Sequence, residues 1–73
     1  LEADSNGNRT QSQDNAIFVN SKDCTIFSEG SRIALVGVSG IVVVQSGNDI
    51  LVIDKNSSQD VRKVVEIVKG KKS

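Results

Sequence analysis

The 73-residue chain has no histidine, methionine, proline, tryptophan or tyrosine, only one cysteine and only two phenylalanines. Each absence excludes something. Without histidine there is no Ser-His-Asp or Cys-His catalytic arrangement, and with Cys24 alone there is no zinc site of the Cys/His kind. One cysteine makes no internal disulfide, and an unpaired thiol suits a reducing compartment. With Phe18 and Phe27 as the sole aromatics, platforms for stacking bases are missing. The formal net charge is zero and the pI is about 6.3, so the basic footprint expected for nucleic acid is lacking. The longest apolar run is far too short to span a membrane. The lack of methionine, beside a start Leu1-Glu2-Ala3 without a signal-peptide pattern, is expected of a piece of a longer polypeptide. The composition predicts a soluble, cytoplasmic piece whose partners are neither nucleic acid nor membrane.

What is present is a set of five short apolar runs, beginning at Ala16, Cys24, Ile33, Ile41 and Ile50. Valine, isoleucine, threonine and phenylalanine dominate them, which favours strands, and no proline interrupts them. The connectors 20–23, 28–32, 37–40 and 45–49 hold Asn, Ser, Gly or Asp at ordinary loop lengths. Two architectures fit: an antiparallel meander, or a β-solenoid whose strands stack coil on coil. With three strands per coil, Ala16 precedes Ile41 by 25 residues and Cys24 precedes Ile50 by 26, so the first run would stack on the fourth and the second on the fifth.

The last three runs, Ile33-Ala34-Leu35-Val36, Ile41-Val42-Val43-Val44 and Ile50-Leu51-Val52-Ile53, are apolar at every position. A strand with one face in water alternates apolar with polar, so these three are expected to be covered on both faces. A chain this short is marginal alone: about 60 residues bury only roughly 60% of their unfolded surface. With disulfides and zinc unavailable, association with another surface is the remaining device.

The flanks read differently. Residues 1–15 carry only Leu1 and Ala3 as apolar side chains and are expected to form no core; with a turn at Asn6-Gly7 they read as a polar linker or lead-in strand. Residues 16–54 hold the strands. Over 57–70 the period changes: Val61, Val64, Val65 and Val68 fall on one helical face. Ser57 is a candidate cap with Asp60 three residues on, Arg62 and Glu66 are placed to pair, and Gly70 suits the position just past the end. Lys69, Lys71 and Lys72 suit the negative end of the helix dipole; residues 71–73 form a basic tail. Valine is a mediocre helix former, so this helix is expected to depend on burying its valine face.

The search for chemistry finds no active site. Gly37-Val38-Ser39-Gly40 has no lysine after it and opens no helix, so it is a turn and not a phosphate loop. Cys24 opens an apolar run and behaves as a small buried hydrophobe. Asp14, Asp23, Glu29, Asp49, Asp54 and Asp60 are scattered over different turns, with no pair at a spacing that demands joint acid/base work. The lysines at the end are a solvated tail.

The order of short motifs nevertheless resembles the C-terminal region of bacterial mannose-1-phosphate guanylyltransferases (GDP-mannose pyrophosphorylases). The pieces are Asp4-Ser5-Asn6-Gly7-Asn8, Ser21-Lys22-Asp23-Cys24, Ile33-Ala34-Leu35-Val36-Gly37-Val38, Ile41-Val42-Val43-Val44, Asn48-Asp49-Ile50-Leu51-Val52 and Ser58-Gln59-Asp60-Val61-Arg62-Lys63-Val64-Val65. The resemblance implies a mainly β fold, a short left-handed parallel β-helix with a C-terminal α-helix. It implies a parent enzyme that makes GDP-mannose and pyrophosphate from GTP and mannose 1-phosphate with Mg²⁺, whose nucleotide and sugar sites lie in another domain. No catalytic, cofactor or metal residue carries over to this chain. Where the family has a Thr-Pro-Asp type turn, this chain has Ser46-Gly47-Asn48-Asp49. The expected partners are the catalytic domain of the same polypeptide and further copies in a homo-oligomer. The packing residues are expected to be Ile33, Leu35, Ile41, Val43, Leu51, Ile53, Val61, Val64, Val65 and Val68. The alternative, from a different class, is an autonomous β-solenoid module that binds a protein or glycan.

Overall fold

The computed structural model describes residues 3–11 and 13–71. Six strands and one α-helix follow in order: β1 (Arg9–Thr10), β2 (Ala16–Val19), β3 (Thr25–Ser28), β4 (Ile33–Val36), β5 (Ile41–Ser46), β6 (Asp49–Asp54) and α1 (Val61–Lys71). Short 3-10 helices at Gln13–Asn15 and Lys55–Asp60 join them. The strands form two separate sheets, one ordered β1-β3-β5-β6 and one ordered β2-β4. The fold is therefore strand-rich with a C-terminal helix.

The pairing of β2 with β4 and of β3 with β5 has a period of 17 residues, while β1 pairs with β3 at an offset of 16. Ala16 lies beside Ile33 and Val19 beside Val36; Thr25 lies beside Val42 and Ser28 beside Gln45. All of these pairs are parallel, as is the isolated bridge from Lys22 to Ser39. Backbone residues with positive φ keep the same spacing: Asn20 with Gly37, Asp23 with Gly40, and Gly30 with Gly47. Successive turns of the chain thus bend at equivalent places.

This register corrects the stacking expected from three strands per coil. The first apolar run pairs with the third and the second with the fourth. Between the paired runs lies a polar corner at Lys22 and Ser39, not an apolar run. It is held by backbone bonds from Lys22 N to Val38 O (3.1 Å) and from Gly40 N to Lys22 O (2.9 Å). The fifth run does not stack on the second. It folds back as β6, antiparallel to β5, with Ser46 opposite Asp49 and Ile41 opposite Asp54. The two-residue loop Gly47-Asn48 makes the reversal, and Gly47 at φ 58° supplies the positive φ that a II′ hairpin turn needs at its first central position.

The interior is small. Cys24 and Ile26 are fully buried and Val43 nearly so. Four polar residues are buried with them, Asn8, Ser21, Ser28 and Gln45, and each has hydrogen-bond partners, as buried polar groups require. Ser21 Oγ donates to Leu35 O (2.9 Å). Gln11 Nε2 donates to Ser28 O (3.0 Å), and Gln45 Oε1 accepts from Glu29 N (2.7 Å). Ser28 and Gln45 lie side by side in the β3–β5 pair, one polar position repeated on two successive turns of the chain.

The lead-in 3–11 contributes to this interior, contrary to its polar composition. Asp4 to Gly7 form a turn, closed by Gly7 N donating to Asp4 O at 3.0 Å, and β1 then pairs in parallel with β3. At the other end, α-helical geometry begins at Val61, because Ser57 (φ −115°, ψ 21°) interrupts the turns before it. Asp54, not Ser57, caps this segment, accepting from Asn56 N at 2.8 Å. Gly70 lies inside α1 rather than past its end. The ion pair on this segment joins Lys63 to Asp60 (3.5 Å). Lys72 and Ser73 of the expected basic tail, like Leu1 and Glu2, lie outside the described residues.

Candidate functional site

The outer face of the β5–β6 hairpin is apolar because Ile41–Val44 of β5 and Ile50–Ile53 of β6 are apolar at every position. Val42 stands opposite Ile53 and Val44 opposite Leu51, so these four share one face, and all are half-buried. Helix α1 presents its valine row toward the turn end of that face. Between them runs a groove of about 310 Å³ lined by Val44, Ile50 and Leu51 on the hairpin and Val61, Val64, Val65 and Val68 on the helix, with Asp49 and Lys69 as its charged members. The groove stays open: Val64, Val65 and Val68 are 40%, 44% and 58% exposed. The helix therefore covers the sheet only in part, and its own valine face is far from buried.

The opposite face of the hairpin carries a second apolar exposure. Val52 stands opposite Val43, hence on the face that elsewhere points into the interior, yet it is 60% exposed; Ile50, which also lines the groove, is 68% exposed. The expectation that the three apolar runs are covered on both faces is not met within this chain. β4 alternates, with Ile33 and Leu35 half-buried and Ala34 and Val36 exposed. β6 alternates likewise, with Leu51 and Ile53 half-buried. Ile41 is half-buried and Val43 is interior. The structure thus brings Leu51, Val61, Val64, Val65 and Val68 together and leaves Ile33 and Leu35 on the other sheet. Val36, Ile50 and Val52, the most exposed apolar strand residues, were not singled out from sequence. Their signal was the polarity-free run itself.

Among the described residues carboxylates are engaged in turns. Asp4 Oδ1 accepts from the backbone amides of Asn6 (2.8 Å) and Asn8 (2.9 Å), and its Oδ2 accepts from Asn8 Nδ2 (3.2 Å). The Asn8 amide above all holds the Asp4 carboxyl below its usual value; desolvation opposes this, and the Asn6 amide and the Asn8 side chain add to it. Glu29 Oε1 accepts from Ser46 Oγ and Gly47 N, each at 3.2 Å. Asp23 lies 4.0 Å from Lys55 Nζ on the surface. These carboxylates hold turns. The Cys24 thiol is buried and directed at the carbonyls of Lys22 (3.3 Å) and Val38 (3.7 Å), so it packs as a small apolar group. Among the described residues no three His, Cys, Asp or Glu side chains gather as metal ligands. No helix among the described residues is long and apolar enough to cross a membrane.

Comparison with known proteins agrees with the motif order. Residues 14–68 match the family model described as the MannoseP isomerase/GMP-like β-helix domain. A mannose-1-phosphate guanylyltransferase of Salmonella muenchen is 52% identical over 51 residues, 70% of this chain and 11% of the relative. A putative mannose-1-phosphate guanylyltransferase of Vibrio cholerae is 39% identical over 67 residues, 92% of this chain and 14% of the relative. The chain thus spans about a seventh or less of the curated relatives it matches. A crystal structure described as mannose-1-phosphate geranyltransferase from Thermus thermophilus superposes with a TM-score of 0.81 at 27% identity, covering 90% of this chain and 20% of that one. By its match over most of its length, the chain belongs to the MannoseP isomerase/GMP-like β-helix domain family.

Proposed function

We propose that this chain is the accessory and assembly domain of a mannose-1-phosphate guanylyltransferase, an enzyme that forms GDP-mannose and pyrophosphate from GTP and mannose 1-phosphate. In this reading the chain itself is non-catalytic. GTP and Mg²⁺ belong to a separate catalytic domain, and the whole enzyme works in the cytoplasm. The parallel turns of 17 residues form a short left-handed β-helix. Its apolar outer surface packs against the catalytic domain of the same polypeptide and supports a homo-oligomer.

The observation that carries this reading is the open groove between the valine row of α1 and Val44 and Leu51. Exposed apolar patches of this kind mark interaction sites more often than solvent faces. The names of the relatives supply the enzyme class.

The test compares the full-length enzyme with a version lacking this segment, measuring GDP-mannose formation and native mass. Loss of assembly with surviving turnover per monomer assigns the segment to assembly. Unchanged mass and unchanged turnover would overturn the proposal.

A further inference from the structure

The 17-residue period does not stop at β4. Ala16 and Ile33 stand one step apart in the β2-β4 sheet, and the next step falls on Ile50, the first residue of the fifth apolar run. The connectors agree. Residues 29–32 lead from β3 to β4, and residues 46–49 lead from the equivalent position on β5 to Ile50. Both are four residues long, with Gly30 and Gly47 at the same place and both at positive φ. In the structure the run is instead engaged in the hairpin, and β4 is left as the last strand of its sheet.

We propose that the segment 50–53 has two seats: the observed one on β5, and a second in parallel register on β4, as the third rung of that sheet. In the second seat Ile50 lies beside Ile33, Leu51 beside Ala34, Val52 beside Leu35 and Ile53 beside Val36. A one-residue change of facing turns every side chain of a strand over. Here Ile50 and Val52, exposed in the hairpin, join the face of the half-buried Ile33 and Leu35. Leu51 and Ile53 turn outward beside Ala34 and Val36. A run that is apolar at all four positions tolerates both orientations, whereas an alternating run tolerates one. The hairpin pairs six residues of β6 and the rung would pair four, so the hairpin is the ground state and the rung the minor one.

The two seats are distinguished by disulfide trapping in the 73-residue chain. In the hairpin, Ile53 faces the groove side of one sheet and Val36 the outside of the other. In the rung they are neighbours, within the roughly 4.4–6.8 Å between Cα atoms that a disulfide spans. Val36→Cys with Ile53→Cys is therefore expected to form an intramolecular disulfide under mild oxidation. The hairpin control, Val44→Cys with Leu51→Cys, forms its bond from the ground state. If the minor seat is populated at about 1%, within the range usual for an alternative conformation, the 36–53 bond forms about 100-fold more slowly than the control. Ala34→Cys with Leu51→Cys is the second trapping pair if the first does not fold. Relaxation dispersion on the unaltered chain gives an independent reading, with exchange expected in β4, β6 and residues 46–49 and not in β1 or β2. Failure of both pairs to cross-link where the control does, cross-links formed only between molecules, or flat dispersion in β4 and β6 would each overturn the proposal.

Discussion

The backbone amide of Cys24 donates to the side-chain oxygen of Asn8 at 3.0 Å, and through this bond a polar lead-in becomes part of the interior. Asn8 also donates from Nδ2 to Ser21 O at 2.9 Å. One amide side chain thus satisfies a buried donor and a buried acceptor on the next turn of the chain. Leaving such groups unpaired costs about 1–3 kcal/mol, so Asn8→Ala is expected to lower stability by about 2–3 kcal/mol. Urea unfolding followed by circular dichroism measures it. Asn8→Asp is expected to be no better, since a carboxylate loses the donor that Ser21 O requires.

The turn before it gives a pH dependence. Asp4 titrates below its usual value in the folded chain, chiefly because the Asn8 amide donates to it. A carboxyl with a lowered folded pKa stabilises the fold at pH above its unfolded value, and that contribution disappears as pH falls through the folded value. The native chain is therefore expected to be more stable than Asp4→Asn at neutral pH. The difference should shrink as pH falls below 3.8, the ordinary value for an aspartate. Unfolding curves of both proteins from neutral pH into the acid range check this, and a gap that widened on acidification would contradict it.

Gly7 and Gly30 separate backbone strain from collision. Both have positive φ, 83° and 105°, where a side chain is disfavoured. A Cβ at Gly7 also collides with the Asp23 carboxylate, whereas one at Gly30 meets nothing within 4 Å. Gly30→Ala is expected to cost about 1–2 kcal/mol, within the range for sparsely populated backbone. Gly7→Ala should cost more and turn the Asp23 carboxylate away, disturbing its 4.0 Å approach to Lys55. Thermal melts rank the two, and amide shifts at Asp23 locate the disturbance.

Interior and groove respond differently to substitution. Ile26 is fully buried, and its truncation to alanine is expected to cost about 2–5 kcal/mol, enough to unfold a chain this small. Val68 is 58% exposed, and Val68→Asp is expected to change the stability of this chain by no more than about 0.5 kcal/mol. If the groove is an interface, the same substitution in the full-length enzyme lowers its native mass. Calorimetry on the chain and sedimentation of the enzyme give the two readings.

The apolar strands were legible because β-branched runs separated by turn residues leave few alternatives, although Gln45, Ser46 and Asp49, expected in a connector, belong to β5 and β6. The helix was legible from its valine spacing, although its start moved from Ser57 to Val61 once Asp54 took the cap. The register was written in the spacing of Ala16, Ile33 and Ile50, but the corner at Lys22 and Ser39 is polar and leaves no apolar run to count. That hid the period of 17 behind one of 25. Asn8 was invisible because composition reports the average of a segment and not the one side chain that faces inward. The reversal at Gly47 had a local signature in Gly47-Asn48, but Gly30-Ser31 in the connector before it carries the same hairpin signal without a reversal. For the groove, sequence showed which residues form the helix stripe, but which faces the hairpin leaves bare depends on that reversal.

The reversal has a further consequence for solubility. Parallel layers hydrogen-bonded through their backbones resemble the core of a fibril, and nothing in such a layering limits growth. β6 runs against the layers beneath it, so a molecule arriving with the same polarity meets a mismatched template. Asp49 and Asp54 close its two ends. If two β6 strands met symmetrically, each aspartate of one would face the other aspartate of its neighbour, and like charges so placed repel. Reversed polarity and a charge at each end both discourage further like layers from adding to this very apolar strand.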